Sequence, residues 1–263
     1  MAEALFTIDN LRVDVPDMTR KPFLGAAPRL EILKGVSFEI PRGAVYGIVG
    51  GSGSGKTTLG RALVRLIEPT GGSIRFDGTD ITHLYDAQMR PLRPRIQMIF
   101  QDPMSSLNPR LTIGRIIGSP IGVAASDRRV LDVLEQVGLP GAFARRYPHE
   151  LSGGQRQRIG IARAIAMRPD FILADEIVSG LDVSSQAQVL NLLQDLVRQL
   201  GLTLAFISHD LSVIRRLCSR VIVMQSGQII EDAPVRTLFD NPSHAYTREL
   251  LDAIPTPDPS VRW

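Results

Sequence analysis

A glycine-rich run of eight residues, GGSGSGKT at residues 50–57, carries the clearest chemical signal in the sequence. The run fits the pattern G-x-x-x-x-G-K-[ST]. Its glycines, Gly50, Gly51, Gly53 and Gly55, let the backbone wrap closely around phosphate groups with its N–H groups pointing inward. A helix that starts at the end of the run directs its positive N-terminal end at the same phosphates. The run therefore predicts a phosphate-binding loop.

Polar side chains inside and just after this loop add further phosphate contacts. Lys56 offers a positive charge to the β- and γ-phosphates of a nucleotide, and the Thr57 hydroxyl can bind Mg²⁺. Thr58 is another hydroxyl donor, while Ser52 and Ser54 lie within the loop. The pattern arises by chance in about one chain in a hundred of this length. By itself it predicts a nucleotide binder and leaves GTPases, kinases and helicases open.

A second motif, LSGGQRQR at residues 151–158, also suits a phosphate. Ser152 is a natural N-cap for a following helix, and Gly153 and Gly154 allow a phosphate to approach closely. Gln155 completes the pentapeptide LSGGQ, which arises by chance in roughly one chain in a few thousand. The alternative is a purely structural helix cap with a glycine pair, and the phosphate loop upstream favours the functional interpretation.

Two acidic residues follow an apolar run in FILADEIVSGLD, residues 171–182. Asp175, at the end of that run, can deliver a carboxylate to Mg²⁺. Glu176 can polarise a water molecule toward the γ-phosphorus. An isolated Asp-Glu pair is more often a pair of solvated acids, so this interpretation depends on the other motifs.

These motifs, in this order, resemble the ATP-binding subunits of ABC transporters. LSGGQ resembles the family signature, whose serine and glycines bind the γ-phosphate of ATP held by the other subunit of a dimer. The strand that ends in Asp175 resembles the Walker B strand, and Glu176 matches the catalytic glutamate. SGLD at residues 179–182 resembles the D-loop, in which Asp182 reaches across the dimer.

The resemblance gives two further residues a role. Gln101, in FQDPMSSLNPR, corresponds to the Q-loop glutamine, which touches Mg²⁺ or the attacking water in a loop that contacts the membrane subunits. His209 follows TLAFIS, where the family has its switch histidine, a partner of the γ-phosphate and the neighbouring glutamate. The resemblance thus implies Glu176, His209 and Gln101 as catalytic residues and Thr57, Gln101 and Asp175 as metal ligands.

The resemblance covers nearly the whole chain and is strongest from Leu33 to Ile230. FQDPMSSLNPR, LDVSSQAQVLNLL, FISHDLSVI and the tail NPSHAYTRELLDAIPTPDP are similar to the importer ATPases of the peptide, opine and nickel group. The likeness implies an ATPase that uses ATP and Mg²⁺ to power uptake of a small solute. Implied partners are two transmembrane permease subunits, a second ATPase subunit that is identical or a paralogue, and indirectly a solute-binding protein. We expect a peripheral protein on the cytoplasmic face of the inner membrane, with no nucleic acid partner.

The sequence departs from the family pattern at three places. Ile177 follows the catalytic glutamate where the family usually has proline, which we expect to change the stiffness of the loop and not the activity. Val13 and Val15 occupy the region of the aromatic residue that stacks on adenine, and Phe23 lies at the wrong spacing to replace it. Cys218 is the single cysteine, so the C-terminal cysteine cluster of some peptide-transporter ATPases is not present.

The composition of the 263-residue chain excludes several classes of protein. Apolar residues make up 44% and charged residues 22%, which is typical of a globular protein with a substantial core. The net charge is only +3 and the arginines are mixed with acids, which indicates an ordinary solvated surface and not a nucleic-acid patch. We expect no signal peptide, and no stretch approaches the roughly 18 apolar residues of a membrane span.

Short aromatic and β-branched runs predict the strands that must position these motifs. The predicted strands are LFTI (5–8), VSFEI (36–40), AVYGIV (44–49), SIRF near residue 75, IQMIF ending at Phe100, FILA (171–174), TLAFI (203–207), VIVM (221–224) and QIIE. The predicted helices are TTLGRALVRLI, VLDVLEQVGL, DLSVIRRL and a run with one apolar face made of Val189, Leu192, Leu193, Leu196 and Val197. Val15 to Pro28 is predicted to be a loop.

Near-continuous apolar strands that alternate with amphipathic helices predict a parallel sheet covered on both faces. The expected fold class is α/β, with a RecA-like P-loop ATPase core, an antiparallel β-lobe and an inserted helical lobe. In the expected division of a single 1–263 domain, residues 1–100 and 169–232 form the core with its β-lobe. Residues 102–168 form the helical lobe and residues 233–263 a C-terminal tail.

Three other functions fit parts of the sequence. An ABC-type ATPase that acts on DNA or ribosomes shares the motifs, but this chain has no room for a long coiled coil and holds one cassette. A P-loop GTPase or kinase-like switch leaves LSGGQ unexplained, and the chain has no Asn-Lys-x-Asp motif. A non-hydrolysing regulatory subunit is disfavoured because Lys56, Asp175, Glu176 and His209 are all present.

Overall fold

Two β-sheets and the helices packed around them form the protein in the computed structural model, which describes residues 3–17, 25 and 27–253. The first sheet is antiparallel and has the strand order β2–β1–β4–β5. Its strands are β1 (Ala4–Pro16), β2 (Arg29–Pro41), β4 (Gly71–Phe76) and β5 (Thr79–Asp80). This sheet is the predicted antiparallel lobe.

The strands of this lobe run further than predicted into the segment between them. Val15 and Pro16, which were expected to begin a loop, still pair with Leu30 and Arg29 across the β1–β2 hairpin. Hydrogen-bonded pairing with the neighbouring strand therefore overrides the turn preference of Pro16. The predicted loop is correspondingly shorter at its start.

The second sheet has six strands in the order β10–β9–β3–β8–β7–β6. They are β3 (Val45–Gly50), β6 (Ile96–Ile99), β7 (Phe171–Asp175), β8 (Thr203–Ile207), β9 (Arg220–Gln225) and β10 (Gln228–Pro234). Every pairing is parallel except β9 with β10, which form a hairpin. The predicted strands AVYGIV, IQMIF, FILA, TLAFI, VIVM and QIIE are thus confirmed, and the first five form the expected parallel sheet.

Side chains alternate between the two faces of this sheet and pack into two separate hydrophobic cores. On β7, Phe171 and Leu173 pack with the antiparallel lobe, whereas Ile172 and Ala174 pack with the helices on the other side. All five residues of β7 and of β8 are buried. Burial on both faces explains why these strands read as continuous apolar runs.

The helices are short except for α6 and α7. They are α1 (Lys56–Leu63), α2 (Asp86–Met89), α3 (Pro103–Ser106), α4 (Ile113–Gly118), α5 (Arg128–Gln136), α6 (Gly153–Ile165), α7 (Val183–Leu200), α8 (Leu211–Leu217), α9 (Val235–Asp240) and α10 (Ala245–Asp252). Helices α3 to α6 lie in the chain between β6 and β7. No helix in the described part of the chain is long and apolar enough to cross a membrane.

Two predicted helices end earlier than their apolar patterns suggest. Helix α1 stops at Leu63 because Arg65 adopts a positive φ of 54° and its guanidinium donates to the carbonyl of Ile81 at 2.7 Å. Helix α5 ends at Gln136, and Gly138, with φ of 69°, turns the chain before Pro140 is reached. Val130, Val133 and Leu134 on α5 are buried.

Candidate functional site

Three neighbouring parallel strands bring the motifs to one edge of the second sheet. In the register of the sheet, Ile48 on β3 lies beside Ile207 on β8, and Ile207 lies beside Asp175 on β7. The residues that follow these strands therefore emerge at the same level. In open α/β sheets this carboxyl edge is where ligands bind.

In the loop between β3 and α1, three glycines have a positive φ, a backbone conformation that other residues rarely adopt. Gly50, Gly53 and Gly55 have φ values of 148°, 73° and 101°. A Cβ on Gly50 would lie 2.2 Å from the carbonyl oxygen of Met224, whereas one on Gly53 would meet nothing within 4 Å. The loop is thus packed against β9 at its start and open at Gly53, as a cradle for phosphate requires.

Lys56 lies folded against the loop that precedes it. Its Nζ donates to the carbonyl oxygens of Gly50 at 2.8 Å and Gly51 at 2.9 Å, and the residue is only 6% exposed. Burial lowers the pKa of Lys56, while the nearby carboxylates of Glu176 and Asp175 act in the opposite direction. Two carbonyls and two carboxylates around one ammonium group mark the position where phosphate oxygens would complete its coordination.

The hydroxyl of Ser54 is buried in this loop and has no hydrogen-bond partner among the described residues. Its carbonyl accepts a hydrogen bond from the N–H of Gly227, in the β9–β10 turn, at 3.0 Å. A buried hydroxyl without a partner is uncommon in folded proteins, because it costs the desolvation energy of the group. Ser54 is therefore a donor that a bound nucleotide or an ordered water can satisfy.

Thr57 and Asp175 bring two oxygen atoms together at the start of α1. The Thr57 hydroxyl donates to Asp175 Oδ1 at 3.4 Å. Adjacent ligands of an octahedral Mg²⁺ ion stand about 2.9 Å apart, since each lies about 2.1 Å from the ion. Burial raises the pKa of Asp175, and the neighbouring charge of Glu176 raises it further. The pair therefore fits a divalent cation, which would relieve the electrostatic cost of the buried carboxylate.

Glu176 is held between two other predicted residues. Gln101 Nε2 donates to its Oε2 at 3.2 Å, and His209 Nδ1 lies 3.5 Å from its Oε1. The backbone of Glu176 has a positive φ of 48°, and its N–H donates to the carbonyl of Ile207 at 3.0 Å. A non-glycine residue in this conformation is strained, and such strain clusters at functional sites.

The signature motif forms a reciprocal cap at the start of α6. Gln155 N–H donates to Ser152 Oγ at 3.3 Å, and Ser152 N–H donates to Gln155 Oε1 at 3.0 Å. Asp182 caps α7 in a similar way, accepting from Ser185 N–H at 2.9 Å and from the Ser185 hydroxyl at 2.7 Å. A Cβ on Gly154 would lie 3.2 Å from Ser185 Oγ, so the two caps are neighbours.

These two caps stand apart from the phosphate loop of their own chain. Within the described ranges, no hydrogen bond or ion pair joins residues 152–155 to residues 50–58. Ser152 and Asp182 are both exposed at the surface of the chain. The structure thus assembles one half of the predicted site around Lys56 and leaves the other half separate.

A comparison with protein families identifies residues 33–179 as matching the family described as ABC transporter. The match covers more than half of the chain and includes the phosphate loop, Gln101, the signature and the Asp175–Glu176 pair. The chain belongs to the ABC transporter family. It is accordingly an ATP-binding ATPase subunit, and the predicted family and activity are confirmed.

Individual relatives agree with this assignment. A Brucella ovis protein named "Putative peptide import ATP-binding protein" is 56% identical over 239 residues, which cover 89% of this chain and 75% of that protein. The structure of the ATP-binding cassette MJ0796 in a dimeric post-hydrolysis state, bound to ADP and Pi, has a TM-score of 0.76 and 29% identity. That alignment covers 88% of this chain and 99% of MJ0796. CbiO1 of Clostridium perfringens, part of the ABC transporter complex cbiONQ, has a TM-score of 0.78 and 26% identity, over 91% of this chain and 92% of that one.

These comparisons confirm the predicted fold class and the likeness to importer ATPases of the peptide group. The structure also bears on the departures from the family pattern. Val13 is fully buried in the antiparallel lobe and Val15 is half-buried at the edge of the same core, so neither offers a stacking surface. Phe23 lies outside the described residues. Ile177 is 1% exposed and packs in the core on the helical side of the sheet. This burial explains why an apolar side chain follows Glu176.

Sequence reasoning missed two features of this ATPase site. One is the positive φ of Glu176, because a dipeptide Asp-Glu gives no local sign of a left-handed conformation. The other is Tyr246 on α10, whose hydroxyl accepts a hydrogen bond from the N–H of Gly51 at 2.8 Å. In the sequence, Tyr246 lies in the tail motif NPSHAYTREL. This motif indicates similarity to the importer group but gives the tyrosine no role.

Proposed function

We propose that this chain is the ATP-hydrolysing subunit of an importer for peptides or similarly small solutes. The observation that carries the proposal is the convergence of the phosphate loop, Asp175, Glu176, Gln101 and His209 at one sheet edge. The name of the Brucella ovis relative supports peptide import as the class of transport.

ATP binding would use the phosphate loop and the residues just after it. The backbone N–H groups of residues 50–57, Lys56 and the hydroxyls of Ser52, Ser54, Thr57 and Thr58 would surround the phosphates. Asp175 and Thr57, with Gln101 at the edge of the site, would hold Mg²⁺. When bound, this ion supplies positive charge against the β- and γ-phosphate oxygens. No group of three or more His, Cys, Asp or Glu side chains in the described ranges is arranged to hold a metal ion, so phosphate oxygens would supply ligands as well.

Hydrolysis would use Glu176 as the group that accepts the proton of the attacking water. Gln101 and His209 already contact its two carboxylate oxygens, at 3.2 Å and 3.5 Å. These contacts fix the direction of the carboxylate, which is what a positioned general base requires. His209 would also donate to the γ-phosphate once a nucleotide is present.

The complete site would need a second ATPase subunit. Ser152, Gly153, Gly154 and Gln155 of one subunit would contact the γ-phosphate held by the loop of the other, with Asp182 between them. The separation of the two halves within one chain supports this arrangement. The solved MJ0796 cassette is itself a dimer. The second subunit would be an identical copy or a paralogue.

The remaining partners follow from the transport role. Two transmembrane permease subunits would form the pathway, and a solute-binding protein would deliver the solute to them. This chain would lie on the cytoplasmic face of the inner membrane. The surface around Gln101 offers two apolar side chains for contact with the permeases, since Phe100 is 36% and Met104 40% exposed.

A transport assay tests the proposal. The chain would be purified with its permeases, its second ATPase and its solute-binding protein and placed in liposomes with ATP and labelled short peptides. We expect ATP-dependent peptide uptake that Glu176→Gln abolishes and that the exposed control Glu135→Gln retains. ATPase activity that is stimulated by DNA or ribosomes, with no uptake of any peptide, would instead support the non-transport alternative.

A further inference from the structure

Helix α10 contacts the phosphate loop, although the two contacting residues are 195 positions apart in the chain. The hydroxyl of Tyr246 accepts a hydrogen bond from the N–H of Gly51 at 2.8 Å. Gly51 is the second residue of the loop, and its carbonyl also accepts from Lys56 Nζ at 2.9 Å. Tyr246 is half-buried and packs against the core of the helical side. The C-terminal helix therefore contacts the ATP site directly.

A buried carboxylate on β10 anchors this helix. Glu231 Oε1 accepts from Ser243 N–H at 2.9 Å, and Oε2 accepts from His244 N–H at 3.2 Å and from the Thr247 hydroxyl at 2.6 Å. Burial acts to raise the pKa of Glu231, but these hydrogen bonds outweigh it and hold the pKa below its usual value. Glu231 is therefore ionised at neutral pH, and hydrogen bonds to a carboxylate are stronger than those between neutral groups.

The residue just before α10 fixes the position of Tyr246 along the helix. His244 Nδ1 accepts from Tyr246 N–H at 3.1 Å, so it caps the first turn. Thr247, the residue after Tyr246, is 1% exposed, and its hydroxyl donates to Glu231. With the residues on both sides held, the Tyr246 hydroxyl has little freedom to leave Gly51.

The β9–β10 hairpin supports the phosphate loop at two points, directly through Gly227 and indirectly through α10. Gly227 N–H, in the turn of the hairpin, donates to the Ser54 carbonyl at 3.0 Å. Tyr246, anchored through Glu231 on the same hairpin, holds Gly51. A loop with four glycines would otherwise sample many conformations, and fixing it on ATP binding would cost conformational entropy. A loop already held in place avoids much of that cost.

We propose that Tyr246 is a positioning residue for nucleotide binding, and that α10 with Glu231 and Thr247 forms a clamp on the phosphate loop. The proposal rests on the proposed function, since it assumes that residues 50–57 bind ATP. The Tyr246 hydroxyl fixes Gly51, and through it the carbonyls that hold Lys56, before the nucleotide arrives. The C-terminal segment is thus part of the ATP site and not only a covering of the core.

The first test removes the hydroxyl alone. Tyr246→Phe in the full chain should weaken ATP binding about 2- to 10-fold, the effect of losing one hydrogen bond, measured by equilibrium titration with Mg²⁺-ATP at a temperature well below Tm. In the assembled transporter, KM for ATP should rise by a similar factor while kcat changes less than about twofold, because the hydroxyl acts before chemistry. Tyr85→Phe, at a tyrosine that is 78% exposed, is the matched control and should change neither value.

The second test asks whether the anchor acts through Tyr246. Thr247→Val removes the donor to Glu231 at nearly constant volume and should also weaken ATP binding. In the Tyr246→Phe background the same change should have no further effect on ATP affinity, although both proteins lose thermal stability. Additive effects of the two changes on ATP affinity would overturn the clamp, because independent sites add.

The outcomes separate this inference from the proposed function. If the wild-type chain does not bind ATP, the assignment of the phosphate loop is wrong. If the wild-type chain binds ATP and Tyr246→Phe binds it equally well, the positioning role is wrong and the loop assignment stands. A variant with lower Tm but unchanged ATP affinity would show that α10 has a purely structural role, which also overturns the inference.

Discussion

At the scale of single residues, Glu176 combines a strained backbone with two side-chain partners. Its φ of 48° turns the carboxylate away from the strand direction of Asp175, so that Gln101 and His209 contact it from different sides. Asp175, one residue earlier, stays at the strand end beside Thr57. The two adjacent acids thus have different partners, as the proposed roles at a metal ion for Asp175 and at the attacking water for Glu176 require.

Replacing Glu176 by glutamine tests its role as a general base. Glu176→Gln keeps the shape and the hydrogen bond from Gln101 but cannot accept a proton. We expect unchanged ATP binding and hydrolysis slowed by about a hundredfold or more. Turnover of Mg²⁺-ATP and gel filtration with ATP measure both effects, and the variant should accumulate as an ATP-bound dimer. Turnover within a factor of two of wild type would remove Glu176 from the mechanism.

Asp175 should lower stability and yet be required for activity. Because its pKa is raised in the folded protein, the neutral form favours folding, and this contribution is lost as the pH rises through the raised pKa. In nucleotide-free protein, Asp175→Asn should therefore increase Tm at neutral pH, and the difference should vanish below about pH 4, where an ordinary carboxyl is also neutral. Mg²⁺-dependent hydrolysis should fall at least about tenfold, the usual effect of losing a metal contact.

Melting curves of the two proteins across this pH range, with and without Mg²⁺-ATP, measure the effect. The buried, neutral residue Thr203, whose hydroxyl accepts from the N–H of Gly43 at 2.9 Å, offers a control, since Thr203→Val should lower Tm equally at every pH. A Tm for Asp175→Asn below that of wild type at neutral pH would contradict the electrostatic argument.

At the scale of elements, strand β1 carries the two residues at the position where an aromatic side chain is expected to stack on the base. Pairing with β2 turns Val13 into the lobe core, and Val15, next to the last residue of the strand, is half-buried. Neither residue is aromatic. We therefore expect the base to add little to nucleotide affinity.

Base selectivity measures this effect. Aromatic stacking on a base contributes about 1–3 kcal/mol. Without it, exchange of adenine for guanine should change affinity little, and GTP should compete with ATP within roughly tenfold. Competition titrations with the isolated chain give the ratio. A strong preference for ATP would mean that another ring takes this position, and Phe23→Ala would then test the remaining candidate.

At the scale of the whole molecule, the two halves of the site lie on different parts of the chain. The phosphate loop sits at the edge of the parallel sheet, whereas the signature starts α6 within the helical segment between β6 and β7. The proposed division into a core of residues 1–100 and 169–232 and a helical lobe of residues 102–168 follows this separation. ATP would join two molecules by bridging a loop and a signature from different subunits.

Mixing of two inactive variants tests the shared site. Ser152→Arg should leave ATP binding to the isolated chain intact, because its own loop is unchanged, but block dimer closure and hydrolysis. Lys56→Ala should instead weaken ATP binding itself. In a homodimer of one copy of each, one site carries both defects and the other carries none, so part of the activity should return. If the partner is a paralogue, one motif is changed in each partner.

The control for mixing is each variant alone, which should stay inactive at every concentration. Both variants should also associate, as measured by light scattering. Activity that never returns in either arrangement would mean that the signature acts within its own subunit.

The sequence by itself determined the local parts of this protein. Glycines of the phosphate loop, the Ser152 cap and the apolar run before Asp175 could be predicted because each depends on neighbouring residues and their backbone preferences. The order of motifs was enough to predict the family. Buried strands and the alternation with helices likewise predicted the parallel sheet.

Only the tertiary structure decided which distant groups meet. The register of β6, β7 and β8 places Gln101 and His209 on the two oxygens of Glu176, and register depends on the packing of the whole sheet. Tyr246 reaches Gly51 only because Glu231 on β10 anchors α10, a contact between residues far apart in the chain. Such long-range contacts follow from the sum of many packing interactions, so no local pattern around Tyr246 or Glu176 could have predicted them.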